Sequence, residues 1–210
     1  MKVLNLYPGI GGNRKLWKDV EVTAVENNKE IAGIYQDFFP DDNVVVEDAH
    51  QYLLENYKEF DFIWSSPPCP THSRIRNNSA VASGQNEVCY PDMKLYEEII
   101  LLNNVYNLGK FKGNFIVENV ISYYAPLIKP QEIQRHHFWS NFIISKKFLS
   151  GDRIGDGNIP YWEKRFGYDL SKFSNIDKRK ALRNCVHPKL GLHVFECAFK
   201  KKQTTLKVEE

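Results

Sequence analysis

No run of apolar residues in this 210-residue sequence approaches the roughly 20 that a membrane-spanning helix needs, so a spanning protein is excluded and a soluble one expected. Cysteine is scarce. Cys69, Cys89, Cys185 and Cys197 form no CxxC pair and have no Cys/His ligand spacing, so no metal site is expected and the thiols read as reduced. The opening MKVLNLYPGIGG has only a short apolar run before its glycines; it reads as a buried first strand, not a secretory signal, and a cytoplasmic place follows. Compactness fits a bacterial or phage protein.

What is present is ordinary globular composition, 42% apolar and 26% charged, enough for one well-packed α/β domain with a modest extra lobe. Net charge is only +2, but it is unevenly spread. Lys and Arg number 11 against 17 Asp and Glu in residues 1–120, and 17 against 9 in residues 121–210. Such asymmetry suits a C-terminal part that faces a polyanion, although a scattered solvated surface would give the same count.

Residues 2–7, 21–25, 43–46, 60–65 and 114–118 are short apolar or β-branched runs that end in polar residues, glycine or proline, and they predict buried strands. Between them lie segments of helical length at 14–19, 28–39, 49–57 and 92–108. The last carries Leu95, Ile99, Leu102 and Val105 at helical spacing. This alternation predicts a mostly parallel sheet with helices on both faces. A further strand is expected at 138–144 and a last helix after Pro188. Residues 73–88 are polar and read as a loop, and the stretch from 150 to 179 reads as a small inserted lobe.

Ligands of such sheets bind at the carboxyl ends of the strands, where the unusual residues of this chain fall. Tyr7-Pro8-Gly9-Ile10-Gly11-Gly12 is a glycine-rich strand-to-helix turn that lets a ligand approach the backbone, or simply a tight turn. Glu26 ends the second strand, placed to accept hydrogen bonds from two ribose hydroxyls. Asp48 ends the third, placed to face an adenine amine; a helix N-terminal charge is the alternative for each. Ser66-Pro67-Pro68-Cys69-Pro70 ends the fourth strand with a cysteine stiffened by prolines, a nucleophile unless it is inert filler. Glu118-Asn119-Val120 ends the fifth and puts an acid beside it.

In order and spacing, YPGIGG, VENN, EDAH, SPPCP, VENV and RNCVHPKLG resemble the motifs of the cytosine-C5 DNA methyltransferase family. The resemblance covers most of residues 1–140 and 183–199. It implies a Rossmann-like class I methyltransferase fold, α/β with a seven-stranded sheet, that binds S-adenosylmethionine and releases S-adenosylhomocysteine. By the same resemblance Tyr7 packs on the cofactor, Gly9, Gly11 and Gly12 form its loop, Glu26 and Asp48 bind its ribose and adenine, and Pro68 and Asn184 complete the pocket. Cys69 is then the nucleophile and Glu118 the residue that grips the cytosine N3 edge.

The family's QxRxR segment corresponds here to Gln134-Arg135-His136-His137, so either Arg135 or His136 takes the catalytic position beside cytosine O2. Ser73, Arg74 and Arg76 of the loop, with Arg153, Lys164 and Arg165 of the lobe, are the expected contacts to double-stranded DNA, a mixture with aromatics that suits phosphate binding and base stacking. The division expected is a catalytic core at 1–142, a short target-recognition lobe at 143–180, and a helix plus basic tail at 181–210. The brevity of that lobe leaves room for a second subunit. The competing readings are a tRNA cytosine-5 methyltransferase and a noncatalytic binding subunit of the same fold.

Overall fold

A computed structural model of the chain describes residues 1–74, 90–146 and 157–200. Seven strands form one sheet: β1 (Lys2–Leu6), β2 (Glu21–Val25), β3 (Asn43–Val45), β4 (Phe62–Ser65), β5 (Asn114–Val120), β6 (Gln131–Ile133) and β7 (His136–Ser140). Their order across the sheet is β3-β2-β1-β4-β5-β7-β6. Every pairing from β3 across to β5 is parallel, and β7 runs antiparallel to both its neighbours. The expected seven-stranded, mostly parallel Rossmann-like α/β sheet is therefore present. Leu4 and Leu6 alternate with Val3 and Asn5 across β1, so opposite faces bury different partners.

One face carries α2 (Ala49–Asn56) and α3 (Lys94–Asn107), whereas α1 (Lys29–Phe38) lies on the opposite face, where its Tyr35 reaches Asn5. The apolar stripe Leu95, Ile99, Leu102 and Val105 of α3 packs with Leu4, Leu6, Phe115 and Val117. Asn28 and Asp48 cap α1 and α2 by accepting hydrogen bonds from Ile31 and Gln51 amides, which fixes where each helix begins. The other face is covered by α6 (Pro188–Phe199), whose Leu190, Val194 and Phe195 meet Val3, Trp17, Phe62 and Trp64.

Of two further helices, α4 (Ile159–Phe166) lies within the stretch that the sequence marks as irregular and α5 (Lys178–Arg183) begins at its end. Trp162, Phe166, Tyr168, Leu170 and Leu182 form one hydrophobic cluster with Ile10 and Ile34. This basic segment is thus seated on α1 and the first loop. The predicted helix at 14–19 is instead a series of turns: Asp19 has φ +57°, and Arg14 reaches Asp42 through a bidentate pair while Trp17 is buried in the core. Strand β7 starts two residues earlier than expected because Gln134, at φ +55°, turns the chain sharply out of β6.

Candidate functional site

The first loop begins where β1 ends. The Tyr7 amide donates to the Val25 carbonyl at 3.0 Å, and Tyr7, Gly9 and Gly11 all have positive φ. This reverses the chain above the sheet edge. A Cβ built on Gly12 would lie 2.5 Å from the Val186 carbonyl oxygen and 2.8 Å from Cys185 Cβ, so the loop rests directly on the segment after Asn184. A Cβ on Gly9, by contrast, would meet no atom within 4 Å. One glycine serves close packing and the other leaves open space above the backbone.

Glu26 sits beside that space. The amide of Asn28 donates to Glu26 Oε1 at 3.0 Å, and the amides of Gly9 and Asn27 also donate to the carboxylate. Burial raises the Glu26 pKa, and these three amides oppose the rise. Asp48 is the N-cap of α2, with its Oδ1 accepting from Gln51 and its Oδ2 3.5 Å from Lys94 Nζ. The Gln51 amide is the first cause of its lowered pKa. Asn184 caps α5, is exposed, and immediately precedes the pair that backs Gly12. Pro68 is exposed beside Cys69.

The second group gathers at the ends of β4, β5 and β7. Cys69 follows two prolines and starts a turn, its carbonyl accepting from the amides of His72 at 2.9 Å and Ser73 at 3.1 Å. Asn119 Nδ2 donates to the Pro67 carbonyl at 3.0 Å and so ties the cysteine segment to β5. Glu118, only 6% exposed, has both oxygens engaged: Ser66 Oγ donates to Oε2 at 2.8 Å, and His136 Nδ1 lies 2.6 Å from Oε1. Trp64 Nε1 in turn donates to Ser66 Oγ at 2.9 Å. The other ring nitrogen of His136, Nε2, is buried without a hydrogen-bond partner.

Burial, then the charge of Glu118, pushes the half-buried Cys69 thiol above the ordinary thiol range, while Arg135 pulls it back. Cys69, Glu118, Arg135 and His136 are therefore electrostatic neighbours. Tyr7, Gly9 and Glu26 form the adjoining group. Arg74 Nε donates to the Ser122 carbonyl at 2.7 Å, and Ser73 bridges to Ser122, so both stand near the end of β5. Lys164 is exposed on α4, and Arg165 lies over the Trp162 ring at 5.5 Å. Arg76 and Arg153 fall outside the described residues.

Ser66, Asn119 and the buried Glu98 of α3 are neighbours of the candidate site residues that the sequence reading passed over. Ser66 and Asn119 each lie next to a residue already singled out: Ser66 holds Glu118, and Asn119 holds the Pro67 carbonyl. Glu98 has a signal too, because it interrupts the buried stripe of α3 between Leu95 and Ile99 with a carboxylate.

Residues 1–125 match the family model described as C-5 cytosine-specific DNA methylase. Over 80 residues the chain is 34% identical to the tRNA (cytosine(38)-C(5))-methyltransferase of Spodoptera frugiperda, an overlap of 35% of this chain and 24% of that protein. The match thus spans about a quarter of the relative's length. Among solved structures, a mutant of Spodoptera frugiperda DNMT2 is 26% identical with a TM-score of 0.37, covering 57% of this chain and 35% of that one. A putative DNA modification methyltransferase encoded within a prophage, from E. coli, is 16% identical with a TM-score of 0.45, covering 84% and 56%.

Proposed function

Since the chain belongs to the C-5 cytosine-specific DNA methylase family, we propose that it methylates C5 of a cytosine flipped out of duplex DNA, using S-adenosylmethionine and a covalent bond from Cys69 Sγ to C6. The observation that carries this reading is the convergence of Cys69 with a buried Glu118 whose two oxygens are held by Ser66 and His136.

The residues at the first loop fit the cofactor. Open space lies over Gly9, and the Glu26 carboxylate is aimed by three backbone amides, which suits a ribose diol. Tyr7 would pack on the adenosine, Asp48 would meet the adenine, and Asn184 and Pro68 would close the pocket. When bound, S-adenosylmethionine supplies an electrophilic methyl group.

C5 of cytosine is too weak a nucleophile to take that group unaided. The thiol proton of Cys69 passes through Glu118 to cytosine N3 as the S–C6 bond forms, which leaves C5 enamine-like. Arg135 supports cytosine O2 and the developing negative charge, and His136 fixes the orientation of Glu118. Once C5 is methylated, loss of its proton to a base breaks the S–C6 bond, and the N3 proton returns through Glu118 to sulfur. Base extrusion costs a few kcal/mol. Phosphate contacts from Arg74, Lys164 and Arg165 offset part of it.

The overlap with a tRNA methyltransferase supports a second reading, in which the same chemistry acts on a cytosine in folded RNA. Transfer of a tritiated methyl group to mixed-sequence duplex DNA and to tRNA, assayed in parallel, separates the two. The proposal expects label in DNA at a discrete set of 5-methylcytosines, abolished by Cys69→Ser. Label confined to tRNA would overturn the DNA assignment, and label undiminished by Cys69→Ser would overturn the nucleophile.

A further inference from the structure

Glu98 takes no part in the chemistry above, yet it is fully buried in the middle of an apolar helix face. Removing a carboxylate from water is costly, and an apolar side chain there would simply continue the stripe of Leu95, Ile99 and Leu102. The cost is met by three partners from three different elements. Tyr7 Oη donates to Glu98 Oε1 at 2.7 Å, His50 Nδ1 of α2 lies 3.2 Å from the same oxygen, and Ser65 Oγ of β4 donates to Oε2 at 2.5 Å.

The positions of those partners are informative. Leu6 of β1 pairs with Ser65 of β4 in the sheet, so Glu98 spans the point where both strands leave it. Tyr7 is the next residue on one strand and stands at φ +54°, a backbone state that a tyrosine holds only under constraint. On the other strand Ser65 leads within four residues to Cys69. Burial, then the Glu98 charge, raises the Tyr7 hydroxyl far above an ordinary phenol, so it remains a donor. The same first turn of α3 also holds the α2 N-terminus, through Lys94 to Asp48 at 3.5 Å and Glu97 to His50 Nε2 at 3.5 Å.

We propose that Glu98 is a positioning residue of the cofactor pocket, holding Tyr7 over the first loop and fixing it relative to the strand that carries Cys69. The assignment rests on the reading of the first loop as an S-adenosylmethionine site. It makes the tyrosine hydroxyl, which a phenylalanine would lack, the handle by which α3 sets the pocket.

Calorimetric titration of S-adenosylmethionine into the wild-type chain, Tyr7→Phe, Glu98→Gln and the double variant tests this. Loss of a hydrogen bond to a charged acceptor corresponds to roughly tenfold in affinity, expected for each single variant. Because Glu98 acts through Tyr7, the double variant should bind no more weakly than Glu98→Gln alone. In Glu98→Gln the imidazole of His50, followed by NMR, should titrate at lower pH than in wild type. Wild-type affinity in Tyr7→Phe, or losses that multiply to about a hundredfold in the double variant, would overturn the proposal. Should Glu98→Gln fail to fold, Ser65→Ala replaces it: combined with Tyr7→Phe it must again fall short of the product of the single losses. No binding to wild type would overturn the pocket reading itself, and this proposal with it.

Discussion

Alanine at Gly9 and alanine at Gly12 should injure the protein in different ways. At Gly9 the added methyl meets no atom within 4 Å, and the cost to the fold is the positive φ alone, about 1–2 kcal/mol for a left-handed residue. At Gly12 the backbone angle is ordinary, but the methyl would collide with a carbonyl oxygen at 2.5 Å and a Cβ at 2.8 Å, neither of which can rotate away. Overpacking of that kind costs roughly 2–3 kcal/mol. For a chain of this size each kcal/mol lowers the melting temperature by about 2–4 °C, so Gly12→Ala should melt roughly 4–12 °C low. Gly9→Ala should melt about 2–8 °C low, less than Gly12→Ala at the same conversion. Cofactor affinity should rank the other way. The Gly9 methyl enters the space left for the ligand, and S-adenosylmethionine binding should fall at least about tenfold, a loss that its stability change does not account for. Urea denaturation and calorimetric titration of both variants measure the two quantities. Wild-type affinity in Gly9→Ala, or a greater stability loss at Gly9 than at Gly12, would refute the placement of the ligand over Gly9.

Alkylation of Cys69 by iodoacetamide should be slow near pH 7 and should accelerate as pH rises beyond the ordinary thiol range, because burial and Glu118 raise its pKa; mass spectrometry of the labelled peptide against pH reads this directly. Covalent capture of duplex DNA that carries 5-fluorocytosine, visible as a shifted band under denaturing conditions, should be lost in Cys69→Ser while cofactor binding persists. Glu118→Gln should keep the fold and slow transfer by about a hundredfold or more, the usual scale for a positioned acid–base group; wild-type turnover would remove Glu118 from the mechanism. His50 has a pKa raised first by its hydrogen bond to Glu98, so its stabilisation is fully present below the ordinary imidazole value of 6.5 and fades as pH climbs through the raised one. The melting-temperature gap between wild type and His50→Gln should therefore shrink as pH rises above about 6.5.

Strands β1 to β5 were legible because each is a short buried run closed by punctuating residues, and three of the five expected segments match the observed strands to within one residue while the other two differ by two residues at one end. The helix expected at 14–19 was not formed because the pull of Arg14 toward Asp42 and the burial of Trp17 are tertiary effects with no local periodicity. Strand β6 has three residues and no apolar alternation, and α4 and α5 gain their amphipathic partners only from α1 and Ile10 across the fold. At the site, residue identity and order sufficed to single out Cys69, Glu118 and Glu26. The separate surroundings of Arg135 and His136 are visible only in three dimensions: His136 touches Glu118, whereas Arg135 lowers the Cys69 pKa. Glu98 was overlooked because the apolar spacing of α3 was read without asking what interrupts it.

The backing of the first loop has a consequence for how the molecule is made. Gly12 rests on Cys185 and Val186, and a Cβ at Gly191 would strike Asn13, so the wall behind this early turn comes from residues translated some 170 positions later. Strands β1 to β5 can pair while that wall is still missing, but the loop has nothing to press against. Long-range closures of this kind come late in folding. A nascent chain is therefore unable to use the cofactor as an early template, and binding competence should switch on abruptly only when α6 docks.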